Sequence, residues 1–190
     1  MKTIYFDSKG SENTRATLEH SLTIAEELGI IDIIVSSTKG RSVHDTIDVF
    51  KDEKYNLIIV THQDGFREIG NEFPEEIKKE ILIKRSKTLF HTGTHALAGV
   101  GRSFRMNLST YLPIEMFAVA IRKCFGEGTK VSLEMAIMTA DAGLITSKRD
   151  VICIAGTGKG LDTAWVVKPS YSNNLFDLKM KFPIAKPINF

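Results

Sequence analysis

Residues 150–169 read "DVICIAGTGKGLDTAWVVKP". Two apolar runs, "VICIA" (151–155) and "AWVVK" (164–168), flank a glycine-rich turn. The turn is too short for the helical crossover that parallel neighbours require, so the two runs pair antiparallel as a hairpin. Upstream the chain follows the opposite rule and alternates strand with helix. "TIYF" (3–6) is a short strand, and "SENT" (Ser11–Thr14) supplies capping residues for a helix to about Leu28. Leu18, Leu22, Ala25 and Leu28 recur there at helical spacing, and Gly29 provides a left-handed end. "IDIIVSS" (31–37) and "NLIIVTH" (56–62) are apolar enough for strands buried on both faces. A helix over Val43–Phe50 lies between them. The spacing predicts a further helix over Asn71–Arg85, with Pro74 near its first turn, and then a strand "TLFHTG" (88–93).

Residues 96–112 predict a loop with a short turn of helix. Pro113 opens a helix to about Phe125, "GEG" (126–128) breaks it, and a second helix runs over Lys130–Leu144. "TAWVVKP" reads as the last strand, closed by Pro169. The tail from Tyr171 to Phe190, with Pro183 and Pro187, reads as a segment wrapping the surface. Together these elements predict a single α/β domain over residues 1–190. Its architecture is a three-layer α/β/α sandwich around a mixed, mostly parallel sheet, with the reversed last strand at an edge.

The composition is that of a globular protein, 43% hydrophobic and 25% charged over 190 residues. A net charge of +2 gives no global attraction to nucleic acid or to an anionic membrane, so any anion site is local. Cys124 and Cys153 sit in apolar patterns and read as small buried hydrophobes, which fits a reducing, cytoplasmic compartment. "KTIYF" after Met1 is too short for a signal-peptide core, and no apolar run approaches the length of a membrane span. "PIEMFAVAIRKCF" (113–125) is apolar enough either to fill the core or to pack against a second copy as a homo-oligomer.

The glycine stretch fits no standard nucleotide fingerprint. The dinucleotide motif needs glycine at its first, third and sixth positions and then a helix; here the sixth position is Leu161 and a strand follows. The P-loop pattern GxxxxGK[ST] is absent as well. Gly156, Thr157, Gly158, Lys159 and Gly160 form either a plain hairpin turn or a lid whose amides approach a ligand closely. What else shares its edge of the sheet decides between the two.

In open α/β sheets, ligands bind beyond the carboxyl ends of the strands. There the sequence places Ser36, Ser37, Thr38, Lys39, Gly40, Arg41 and Ser42 directly before a helix. Unpaired amides, hydroxyls and two cations at that position suit a phosphate; the plain alternative is a capped helix start with solvated cations. Thr61 and His62 end another strand, Thr94 and His95 follow a third, and Asn13 and Thr14 begin a helix at the same edge. A single crevice built from these loops would bind a small phosphorylated ligand. His91 and His95 are four apart, but Gly93 between them argues against a helix, so the helical zinc pattern fails and no metal is expected. Glu134 and Asp141 share a helical face, either as general acid–base groups or as polar positions bonded to nearby backbone.

Six stretches from residue 11 to 164 carry a family resemblance: "SENT", "SSTKGRS", "NEFPEEI", "THALAGV", "GEGTKVSLEMAIMTADAGLI" and "AGTGKGLDTA", with "IIVSSTKGRS" resembling the effector loop of the pyruvate kinase C-terminal domain. The chain is similar to small stand-alone proteins of the pyruvate kinase α/β-domain-like family. The resemblance implies a five-stranded mixed sheet whose last strand is antiparallel. It also implies that the catalytic barrel is missing, so pyruvate kinase activity does not carry over. Stand-alone members hold flavin mononucleotide (FMN). By that analogy Thr38–Ser42 would hold the phosphate, while Gly156–Gly160 and "THALAG" would border the ring and ribityl chain. Lys159, Arg102 or His95 could then face the flavin. The sequence assigns no reaction. A flavin-dependent oxidoreductase is one reading, and a non-catalytic sensor of a sugar phosphate or nucleotide is the other.

Overall fold

The computed structural model describes residues 2–66 and 72–190. Strands β1 (Ile4–Ser8), β2 (Asp32–Ser36), β3 (Asn56–His62), β4 (Leu89–Gly93), β5 (Val151–Ala155), β6 (Thr163–Lys168) and β7 (Lys179–Asn189) form one sheet in the order β1-β7-β6-β5-β2-β3-β4. The helices are α1 (Thr14–Leu28), α2 (Val43–Val49), α3 (Glu75–Lys84), α4 (Gly101–Leu108), α5 (Pro113–Phe125) and α6 (Glu127–Asp141). The result is a mixed, mostly parallel sheet between helical layers.

The centre of the sheet is parallel: β2 pairs with β3 and β5, and β3 with β4. All of β5 and Asp32–Val35 of β2 are buried, which is why these strands read as unbroken apolar runs. Alternate side chains feed two cores. On one face Ile33 and Val35 meet Leu18 and Ile24 of α1, Val43 and Ile47 of α2, and Ile81 of α3. On the other, Ile34 and Cys153 meet Ala118 and Ile121 of α5 and the apolar stripe of α6. Arg85, itself buried, ties β3 to the end of α2 by donating to the carbonyls of Phe50 (3.0 Å) and Tyr55 (2.6 Å).

The hairpin is present, antiparallel from Val151↔Val167 to Ala155↔Thr163. Strand β6, the one reversed strand among the described residues, does not end the sheet. The C-terminal tail is not a surface wrap but the eleven-residue strand β7, antiparallel to β6 and parallel to β1. The sheet therefore has seven strands where the resemblance implies five. Two prolines hid β7 in the sequence, because proline lacks the N–H a ladder needs. Pro183 lies opposite Trp165 beside a register shift, the irregular setting in which a sheet tolerates proline.

Smaller corrections concern element ends. Ser11–Asn13 is a 3-10 turn, and the Asn13 side chain donates to the Ser8 carbonyl (2.8 Å) instead of capping α1. Only Gly126 (φ +100°) separates α5 from α6, so α6 starts at Glu127 and not at Lys130, and it ends at Asp141. Pro74 precedes α3 in extended conformation, and the predicted start at Asn71 lies outside the described residues. Cys153 is buried, which pushes its thiol up out of the titrating range, but Cys124 is exposed on α5. Gly101 is the one buried residue of α4, and Phe104, Met106 and Leu108 are exposed. No helix among the described residues is long and apolar enough to cross a membrane.

Candidate functional site

A cleft of about 880 Å³ opens beyond the carboxyl ends of β2, β3 and β5. Its strand-end residues are Ser36, Val60, Thr61, His62 and Gly156. Glu115, Ala118, Val119 and Arg122 line it from α5; Glu127, Lys130, Val131, Glu134, Met135 and Met138 line it from α6. These intervals of three and four residues put each set on one helical face.

The segment 37–42 forms one rim. Gly40 has φ +78°, and a Cβ there would lie 2.8 Å from Ile77 Cγ2, so both backbone and packing require glycine. Its N–H donates to Ser37 Oγ (3.1 Å), and its carbonyl accepts from Val43 N (3.1 Å). That closes the loop while the amides of Thr38, Lys39, Arg41 and Ser42 have no acceptor among the described residues. Thr38 Oγ1 lies 3.4 Å from His62 Nε2, and Lys39 Nζ donates to the Glu72 carbonyl (3.4 Å).

The glycine loop lines the same cleft, and Asp162, fully buried, organises it. One Asp162 oxygen accepts from the amides of Gly10 and Thr157 (both 3.2 Å), the other from the hydroxyls of Thr157 (3.1 Å) and Thr163 (2.8 Å). Thr14 Oγ1 accepts from Leu161 N (3.0 Å) and braces the far end of the loop.

Deeper in the cleft is a polar cluster. Glu134, 1% exposed, accepts from Lys130 Nζ (2.5 Å), His95 Nδ1 (3.1 Å) and Leu97 N (3.1 Å). Burial is the largest influence on its carboxyl and opposes ionisation, but His95 and Lys130 together outweigh it and hold the group below the usual carboxylate range. The His95 ring stacks on Phe66 (centroids 5.2 Å apart), and the Arg102 guanidinium lies 4.5 Å from the Phe66 centroid. Glu115, also buried, accepts from Arg105 Nε (3.2 Å), and Arg122 pairs with Glu127. Among the described residues, Lys39, Arg41, Arg102, Arg105, Arg122, Lys130 and Lys159 line the cleft against Glu115, Glu127 and Glu134, so its field favours an anion.

The cleft thus brings together Ser36, Ser37, Thr38, Lys39, Arg41, Ser42, Thr61, His62, His95 and the whole of Gly156–Gly160. Asn13, Thr14, Gly40 and Thr94 do not line it; Thr14 and Gly40 shape its rims from behind. Asp141 lies at the other end of α6, exposed, and accepts from Ser172 N (3.0 Å). Sequence reasoning passed over Asp162, Glu115, Arg105, Arg122 and Lys130. For Lys130 a signal was available: its i,i+4 spacing to Glu134 on an otherwise apolar helix marks a buried pair. No protein-family model matches the chain.

Proposed function

We propose that this cleft binds a phosphorylated ligand and that the ligand is flavin mononucleotide. The observation carrying the phosphate is the set of amides at Thr38, Lys39, Arg41 and Ser42 with no acceptor among the described residues, in a loop turned at Gly40 and flanked by two cations. Amides pointing into a concave loop bind phosphate oxygens without a matching positive side chain for each. Flavin is the finer part of the reading and rests on the resemblance to the stand-alone family. The residues fit such a group. Leu97, Ala98, Val131, Met135 and Met138 offer apolar surface to a planar ring, and the volume suits a mononucleotide. Bound flavin would supply redox chemistry, while the chain's part is to bind, orient and exclude water. The same loop would also accept a sugar phosphate or another nucleotide, the sensor reading, because it meets only the phosphate.

Mass spectrometry of the small molecules released from purified protein tests the assignment, together with the visible absorption of the protein itself. A yellow protein releasing FMN is the expected result. A colourless protein that takes up no added FMN, yet is stabilised against heat by sugar phosphates, would transfer the site to the sensor reading.

A further inference from the structure

His95 is fixed by its surroundings. Glu134 already accepts from Lys130 and from the Leu97 amide, and its carboxylate can only accept. The Nδ1 atom at 3.1 Å from Glu134 Oε2 is therefore the donor, and it carries the proton of the neutral ring. That leaves the lone pair on Nε2. This atom is buried, has no hydrogen-bond partner among the described residues, and belongs to a residue that lines the cleft. Buried polar atoms without a partner are rare in folded proteins, and an acceptor held ready beside a ligand cleft has a use for its lone pair. Among the described residues, the charged and titratable groups around the ring are Glu134 and Lys130 from α6, His62 from β3 (ring centroids 5.1 Å apart), and Arg102 across the Phe66 ring.

We propose that His95 is the proton acceptor of the cleft, taking a proton at Nε2 from an O–H or N–H group of an anionic ligand, with Glu134 as the positioning residue. In this step the ligand's X–H bond breaks and its electron pair stays on X. A new N–H bond forms from the Nε2 lone pair, and the resulting imidazolium faces the Glu134 carboxylate. The anion formed on X remains in a cleft whose described charged residues are mainly cations. The proton then returns to the product or passes to water. The ligand class that fits is an anion bearing an ionisable hydroxyl or N–H; a ligand with no donor would leave Nε2 unsatisfied. The proposal goes beyond the flavin reading and stands whichever phosphate ester occupies the 37–42 loop.

The test is 15N NMR of the imidazoles in the full chain as purified, with and without sulfate, an anion whose charge is constant across the titration. His95→Asn identifies the resonance, and His62→Gln serves as the control. The neutral His95 ring is expected to carry its proton on Nδ1. Sulfate is expected to move the Nε2 resonance toward the protonated form, as a nearby opposite charge does. In Glu134→Gln the preference for the Nδ1–H form and the sulfate shift both shrink. If that variant fails to fold, the wild-type tautomer and its response to sulfate decide. An Nε2–H ring in the wild type, an Nε2 resonance unmoved by sulfate, or a shift that disappears in His62→Gln would overturn the proposal. Protein without flavin that still shows the Nδ1–H form and the sulfate shift would count against the flavin reading alone.

Discussion

The three glycines of the 156–160 loop do different things. A Cβ on Gly156 would lie 1.9 Å from the Gly160 carbonyl oxygen, and one on Gly160 would lie 2.3 Å from Ser11 Cα. Gly158, at φ +87°, has open space around it. Gly158→Ala should therefore cost only the backbone strain of about 1 kcal/mol. Gly160→Ala, which also forces the loop away from the Ser11–Asn13 turn, should cost about 3 kcal/mol. Urea denaturation of the two variants checks the ranking. The loop was legible as glycines. Their separate roles were not, because Ser11 and Gly160 meet only in the folded chain. Glu134 gives a pH prediction with a definite sign. Its folded-state carboxyl is held below the usual range. The stabilisation is present above the unfolded pKa and is lost as pH falls through the folded one. Urea melts at descending pH should show an acid-side loss in the wild type that is smaller in Glu134→Gln.

Strand β7 is the element whose assignment changes the fold most. It joins β1 to the sheet, with Ile4 opposite Ala185 and Phe6 opposite Pro187. Pairing between the first and last strands leaves no local trace, whereas the β5–β6 hairpin was legible because its turn is short. Ile184 is fully buried in the same core layer as Leu18 and Ile24 of α1. If β7 is an integral strand, Ile184→Ala should cost about 3 kcal/mol, as for other fully buried aliphatic side chains. Were residues 179–189 a loose wrap, equilibrium unfolding would register almost no change. The parallel centre was readable for a different reason: strands buried on both faces are apolar throughout.

On the scale of the whole molecule, parallel pairing sends the loops after β2, β3 and β5 to one edge of the sheet, and α5 and α6 wall that edge. Loops far apart in sequence then share one cleft, which both Arg41 and Gly158 line. The hydroxyls, glycines and cations of those loops could be located from strand order alone. Glu115, Arg105 and Arg122 could not, since they reach the cleft through the packing of α4 and α5. A cleft whose described charged residues are mainly cations should bind an anionic ligand less tightly as salt rises.

The most direct test compares FMN with riboflavin, which has the same ring and ribityl chain but no phosphate. Titration calorimetry on flavin-depleted wild type and Arg41→Ala should show FMN binding far more tightly than riboflavin. The variant should weaken FMN on the order of tenfold, about 1.4 kcal/mol, and leave riboflavin unchanged. Equal affinities for FMN and riboflavin, or a variant that weakens both alike, would contradict a phosphate seated on residues 37–42.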